Sequence, residues 1–341
     1  MNTKRPRVTK KTIADTLGIS VSTVDRALNG RGSVSPETRR RILKAAQDLN
    51  YRVNLSARAL SKRSEFTVGV VIRDYPQEFW GQVQEGVLEA QSELRDLGLQ
   101  TEVICVNESS GLAEHSIIEW ALSGAVDAVA LPGGEQQHIE LIDQLVDSGI
   151  LTCTYNVDSP TSKRLFYVGC DYFRAGKLAA ELCAKFIRMR GTVTVITDSW
   201  TSFQSQQKII GFRDRISGYN GIKMVGPLKM DPSNWDESLN SLRPVLCDVD
   251  AVYVSNAEVC RVSHLDLVYN KVVIGHDLNK QISEQLAKGR ITAVITQEPK
   301  RQGYLAVKNL FLRLVGSDEW RPEDIFTKLE VVVEENAPFY F

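Results

Sequence analysis

Two patterns of apolar and polar positions divide the chain near residue 65. Before it, apolar residues recur at helical spacing; from Phe66 onward, short apolar runs alternate with amphipathic stretches. In VTKKTIADTLGISVSTVDRALN, Val8 to Asn29, the residues Ile13, Ala14 and Leu17 give a first helix one apolar side, with Thr9 as its N-cap. Gly18 ends that helix, because glycine tolerates the left-handed conformation a sharp turn needs. Ser20 then caps a second helix running through Leu28. Val24, Ala27 and Leu28 share one face of it, and Val21, Ser22, Asp25, Arg26 and Asn29 share the other. Two short helices joined by a Gly-containing turn, the second with a small apolar footing and a polar outer face, meet the requirement of a helix-turn-helix. Its second helix would lie in a DNA major groove.

After the loop Gly30-Arg31-Gly32, Ser35 and Pro36 open a third helix whose buried side is expected to be Ile42, Leu43, Ala46 and Leu49. Arg39, Arg40 and Arg41 cannot all face one way, so only some of them can reach phosphates.

Candidate strands in the remainder are FTVGVVI (66–72), TEVICV (101–106), DAVALP (127–132), LTCTY (151–155), LFYVG (165–169), TVTVIT (192–197), DAVYVS (250–255), KVVIGH (271–276) and ITAVIT (291–296). Helical stretches such as 81–97 and 299–314 separate nearly all of them. Repeated strand–helix units imply parallel sheets with helices on both faces. So many strands exceed one comfortable sheet, which points to two doubly wound lobes with a ligand cleft at the carboxyl ends of the strands. The fold class is therefore α/β behind an all-α headpiece.

Charge strengthens the first half of this picture. Residues 1–64 hold 15 Lys and Arg against 4 Asp and Glu, whereas the whole 341-residue chain carries a formal charge of −1. A compact basic head on an acidic body is the footprint of phosphate binding, and the balanced total hides it. No apolar run approaches the roughly 20 residues that span a bilayer, and MNTKRPRVTKK leads into a polar helix, so neither a membrane span nor a secretory signal is expected. The six cysteines, at 105, 153, 170, 183, 247 and 260, form no C-x-x-C pair and are expected to be reduced core thiols of a cytoplasmic protein.

Catalytic and cofactor motifs are missing. No strand runs into G-x-G-x-x-G; Gly176-Lys177 lacks the earlier glycine of a P-loop and has Leu178 where Ser or Thr is needed; H-E-x-x-H and G-x-S-x-G do not occur. The expectation is a non-enzyme with no cofactor and no metal. His276 beside Asp277 is a pocket or core histidine on this reading, with no nucleophile signalled near it.

The stretch ISVSTVDRALNGRGSVSPETRRRI resembles the headpiece of the lactose-repressor (LacI) family, through Ser20, Thr23, Val24, Arg26, Leu28, Asn29, Val34, Ser35, Thr38, Arg39 and Ile42. Asp25 departs from the Ser usual there; a carboxylate repels phosphate but can accept from cytosine N4. YRVNLSARAL, 51–60, is similar to the family's hinge, which implies a segment ordered on operator with Leu60 wedged into the minor groove beside Arg58, and Asn54 in the same segment. Val53 replaces the usual Pro. The resemblance implies DNA contacts from Thr9, Ser20, Val21, Ser22, Thr23, Asp25, Arg26, Asn29, Arg39, Asn54, Arg58 and Leu60.

The body resembles the ribose-binding type of periplasmic binding protein over nearly all of 66–335. That resemblance implies a pocket built from Asp74, Gln77, Phe79, Trp80, Asn156, Asp158, Lys208, Asn256, His276, Asp277 and Gln297, with the paired aromatics stacking on a sugar. Lys208 stands where relatives have Arg, and His276 where they have Phe or Tyr; a lysine is a point charge and not a bidentate fork, so either the effector differs or Gln206 and Gln207 compensate.

The implied organisation is a headpiece (1–50), a hinge (51–64) and an effector-binding and dimerisation domain (65–341), with one lobe of about 65–168 and 297–326 and the other of about 169–296 and 327–341. The implied function is a homodimeric repressor on double-stranded operator DNA, switched by a sugar or polyol. A purine or another polar metabolite would also suit the cleft, and a sugar receptor without regulatory role is the reading from another class. EVVVEE is followed by no heptads, which favours a dimer over a coiled-coil tetramer.

Overall fold

The computed structural model describes residues 8–28, 34–49, 65–107, 113–134, 136–231, 233–256 and 258–341. Its first elements are the helices α1 (Lys10–Leu17), α2 (Val21–Leu28) and α3 (Pro36–Asp48). Thr9 starts α1 by reciprocal bonds: its hydroxyl accepts from the Thr12 amide at 3.2 Å and its amide donates to the Thr12 hydroxyl at 3.1 Å. Gly18, at φ +65°, closes its amide on the Ala14 carbonyl and turns the chain into Ser20, whose hydroxyl accepts from the Thr23 amide at 3.1 Å. Ile13, Ala14, Val24, Ala27 and Ile42 form one apolar core. Leu43, expected on the buried side of α3, is exposed, and Ala45 packs inward instead. One residue past Ile42 is a rotation of about 100°, which carries Leu43 off the narrow face this small core can cover.

The body begins with β1 (Phe66–Arg73), α4 (Gln77–Leu94), β2 (Leu99–Val106), α5 (Ala113–Trp120), β3 (Ala128–Pro132), α6 (Gln136–Asp147), β4 (Leu151–Tyr155) and β5 (Tyr167–Gly169). It continues through α7 (Tyr172–Phe186), β6 (Gly191–Thr197), α8 (Phe203–Ser217), β7 (Ile222–Lys229), α9 (Trp235–Asp248), β8 (Ala251–Val254), α10 (Val259–Ser263), β9 (Val272–His276), α11 (Lys280–Ala287) and β10 (Ala293–Thr296). It ends with α12 (Pro299–Leu314), β11 (Ile325–Phe326) and β12 (Glu330–Val332).

Two six-stranded sheets result, in the orders β11-β5-β4-β3-β1-β2 and β12-β10-β9-β8-β6-β7. β12 runs antiparallel to β10, while the other pairings are parallel. The chain passes between sheets three times, after β5, after β10 and after β11. The central strands are continuous buried apolar runs, as sheets covered on both faces require. β7 and β11 escape the periodicity for the opposite reason: they are edge strands, half exposed, and β7 contains Lys, Gly and Pro.

Gly176 and Gly211 let α7 and α8 meet backbone to backbone. A Cβ at Gly176 would stand 1.9 Å from the Lys208 carbonyl oxygen, and one at Gly211 would stand 2.0 Å from that of Phe173. This contact explains Gly176 without any phosphate, and it fixes Lys208 over the end of the second sheet. Cys153, Cys170 and Cys183 are core residues, but Cys105 and Cys247 are exposed, so burial is not general among the cysteines. Among the described residues no helix is long and apolar enough to cross a membrane.

Candidate ligand cleft and nucleic-acid face

The loops at the carboxyl ends of both sheets face a cavity of about 190 Å³. The first sheet supplies Arg73 at the end of β1, Phe79 and Trp80 beyond it, and Asn156 beyond β4; the second supplies Asp198, Gln204 and Lys208 beyond β6, Asn256 and Glu258 beyond β8, Asp277 beyond β9 and Gln297 beyond β10. These are the positions where doubly wound sheets hold ligands. Asn156 and Asp277 have φ of 59° and 63°, conformations that Asn and Asp tolerate and that turn the chain sharply off the strand.

Trp80 is held by four neighbours and still reaches the cavity. Its indole N–H donates to the Tyr75 carbonyl at 3.0 Å, its ring meets Phe79 and Tyr155 edge to face at 5.2 and 6.0 Å, and the Arg73 guanidinium lies 6.0 Å from its centre. Lys208 is buried in the opposite wall, donating to the Ser255 carbonyl at 2.6 Å with its ammonium 5.3 Å from the Tyr172 ring centre. Burial pulls its pKa below the usual lysine range, opposed by Cys170, Asp277 and Asp198. Burial raises Asp277 above the usual carboxylate range, against the Gln297 hydrogen bond and the Lys208 charge; Glu258 is raised by the same cause. The Asn256 Nδ2 amide is buried without an acceptor among the described residues, a donor left over for something in the cavity.

Gln297 links the cleft to the passages between sheets. Its Nε2 donates to Asp277 Oδ1 at 2.9 Å, its Oε1 receives the Cys170 thiol at 3.4 Å, and its carbonyl accepts from Thr327 Oγ1 at 3.0 Å and Gln302 Nε2 at 2.8 Å. One side chain and its carbonyl thus touch all three passages. Burial pushes the Cys170 thiol up to about 12, so it stays a neutral donor there.

Of the predicted pocket residues, Phe79, Trp80, Asn156, Lys208, Asn256, Asp277 and Gln297 meet at this cavity. Four others do not. Asp74 and Gln77 are exposed and outside the lining, since α4 begins at Gln77 and turns only Phe79 and Trp80 inward. Asp158 is buried in a lock with Arg164, 2.6 Å away, and accepts from Thr154 Oγ1 at 2.8 Å. His276 belongs to the core of the second sheet, where its Nε2 and the Tyr253 hydroxyl lie 2.6 Å apart and burial holds its pKa well below the usual histidine value. β9 ends at His276, and Asp277 follows it at φ 63°, so one side chain stays in the core while the other lines the cavity. Gln206 is exposed and donates to the Trp200 carbonyl at 2.9 Å, so Gln204, not Gln206, faces the cavity from α8. Arg73, Asp198 and Glu258 were missed because nothing in the local pattern marks a loop residue that becomes a wall only when two sheets meet.

Two larger spaces adjoin this one. A space of about 430 Å³ shares Phe79 and Asp277 with it and runs along the start of α12. Another, about 420 Å³, shares Arg73, Val157, Asp198 and Gln204.

On α2, Val21, Ser22 and Arg26 are exposed together, and Arg26 Nη2 donates to Ser22 Oγ at 3.2 Å. Thr9, Ser20 and Arg39 are exposed and Thr23 half-buried; Thr9, Ser20 and Thr23 serve the helix caps. Asp25 is held by the Lys10 ammonium, so its charge ties α2 to α1 before any base is near. Asn29, Asn54, Arg58 and Leu60 lie outside the described residues.

Residues 68–318 match the family described as periplasmic binding protein domain, and residues 9–54 match the bacterial regulatory proteins of the lacI family. Catabolite control protein A of Staphylococcus epidermidis is 25% identical over 224 residues, 66% of this chain and 64% of that protein, so the match spans less than two-thirds of the relative's length. The crystal structure of GanP, a glucose-galactose binding protein from Geobacillus stearothermophilus, superposes with a TM-score of 0.72 at 27% identity, covering 81% of this chain and 99% of that one. A LacI-type transcriptional regulator from Bacteroides fragilis shares the fold with a TM-score of 0.71 at 18% identity, covering 82% and 100%. The chain belongs to the periplasmic binding protein domain family, with a lacI-family DNA-binding region ahead of that domain.

Proposed function

We propose that this chain is a transcriptional repressor whose affinity for operator DNA is switched by a sugar or polyol bound between the two sheets, and that it is not an enzyme. The observation that carries the reading is the pairing of an exposed face of α2, Val21, Ser22 and Arg26, with a cleft of aromatics, carboxylates and amides in one chain. Residues 1–50 form the headpiece, 51–64 the hinge and 65–341 the effector and dimerisation domain. A homodimer in the cytoplasm sets two headpieces on a two-fold related site. Arg26 reads guanine; Thr9, Ser20, Thr23, Asn29, Arg39, Asn54 and Arg58 position the protein or contact bases, and Leu60 wedges the minor groove. Asp25 faces the same side and is paired with Lys10 before DNA arrives.

Phe79 and Trp80 offer apolar faces to a sugar ring, while Asp277, Asn256, Asn156 and Gln297 take its hydroxyls. Closure on the ligand changes the angle between sheets through the passages that Gln297 joins. The ligand shifts DNA affinity only as far as it binds the two states differently.

The test is fluorescence anisotropy with selected operator DNA, with and without a panel of monosaccharides and polyols. The expected result is specific binding that one sugar changes, and loss of about 1–3 kcal/mol of discrimination at one base pair in Arg26→Ala. Unchanged selectivity in that variant refutes the Arg26 assignment, and indifference of the DNA complex to every sugar and polyol refutes the switch.

A further inference from the structure

We infer that the effector is a glycoside carrying an aromatic aglycone, its sugar beside Phe79 and Trp80 and its aglycone in the adjoining 420 Å³ space; this rests on the sugar-binding reading above. The central cavity, about 190 Å³, is smaller than the roughly 300–1,000 Å³ of typical small-molecule sites. With the adjoining space it falls inside that range, and Arg73, Val157, Asp198 and Gln204 wall both, so the two are parts of one cleft.

The chemistry of the second part differs from the first. Its floor is Val71, Ile117, Leu131 and Leu141, contributed by the first sheet and its helices, with Gln137 and His138 at one side. A second sugar there would set the hydroxyls of its floor-facing side against hydrocarbon, which costs free energy for each one left unpaired. An aromatic ring covers that floor without such a cost, and Ser199 and Ser202 across the cleft meet its polar edge. Arg73 stands at the junction, where a guanidinium can stack on a ring face. The 430 Å³ space, which meets the central cavity at Phe79 and Asp277, is the poorer continuation for an aromatic ring: Glu89, Glu298, Lys300, Arg301 and Glu330 line it, so a ring there would lie against charge.

The experiment is calorimetry on the full chain with glucose, galactose and arabinose, their 4-nitrophenyl glycosides, and the disaccharides lactose and cellobiose. At least one nitrophenyl glycoside is expected to bind tenfold or more tightly than its parent sugar. Ser202→Trp fills the second space from a residue whose hydroxyl caps nothing, and should abolish that gain while leaving the parent sugar's affinity unchanged. Val106→Trp, from the opposite edge, serves the same purpose if the first variant does not fold. Equal binding of sugar and nitrophenyl glycoside, an advantage that survives the filling variants, or disaccharides binding as well as aryl glycosides overturns the subsite and leaves the sugar reading standing. Binding of none of these compounds overturns the sugar reading and the subsite with it.

Discussion

The two sheets repeat one strand order, so Asn156 and Asp277 occupy equivalent places: each is the first residue past the fourth strand from the β2 or β7 edge, and each has positive φ. Their surroundings diverge at the next step. In the second sheet, the connection from β9 to β10 carries the helix α11, whose N-cap Asn279 accepts from the Ile282 amide and leaves Asp277 to the cleft. In the first sheet, residues 156–166 join β4 to β5 without a helix. There Arg164 gathers Asp158 and Asp324, the latter at 2.7 Å, and Asp324 also accepts from the Tyr167 amide at 2.8 Å. Asp158, two residues past Asn156, is engaged in holding a helix-free connection, while Asp277 stays available to a ligand. Repeated topology therefore fixes where the strand-end residue stands, and the connection decides which nearby carboxylate is engaged.

The strongest test of this contrast is Arg164→Ala. Removing the cation leaves Asp158 buried without its partner, which should cost about 3–5 kcal/mol in urea unfolding while effector affinity in the surviving folded protein stays unchanged. A loss of affinity without a loss of stability would return Asp158 to the ligand site.

The mirror-image change is Asp277→Asn, which should weaken effector binding by about 1.5–3 kcal/mol in a titration without destabilising the protein. It carries a pH signature as well. Because burial raises the folded-state pKa of Asp277, its contribution to stability is present below the unfolded carboxylate value near ~4 and is lost as pH rises through the raised value. Thermal melts from pH 3.5 to 7.5 should therefore decline less in the Asn variant than in the parent, and parallel declines would contradict the burial argument.

A smaller effect separates the helices. Gly176→Ala forces α7 from α8 and should cost about 1–3 kcal/mol, with weaker effector binding because the Lys208 wall moves. Gly86→Ala, whose added Cβ would stand 1.8 Å from the Lys300 carbonyl oxygen, should disturb α4 against α12 without moving Lys208. Circular-dichroism melts and a binding titration on both variants distinguish the two halves; identical binding losses would erase the distinction.

The headpiece was legible almost residue by residue. Thr9, Gly18, Ser20 and Ser35 act through partners three or four positions away, and a period of 3.6 is written directly in the sequence. The central strands were legible for a related reason, since a strand covered on both faces must be a continuous apolar run. Edge strands follow no such rule, and β7 and β11 went unread.

Sequence alone determined the basic head and the two-sheet architecture, because each depends on local propensity or on a motif carried in one stretch; the seven residues that line the cavity were named through the family resemblance. Only the tertiary structure decided the roles of the carboxylates, the amides and His276. His276, the last residue of β9, meets the Tyr253 hydroxyl in the core, and Asp277, past the strand at φ 63°, lines the cavity. Arg164 and Asp324 are 160 positions apart and meet only after the second passage between sheets. The partner that fixes the protonation and direction of a side chain can lie anywhere in the chain, so spacing cannot reveal it.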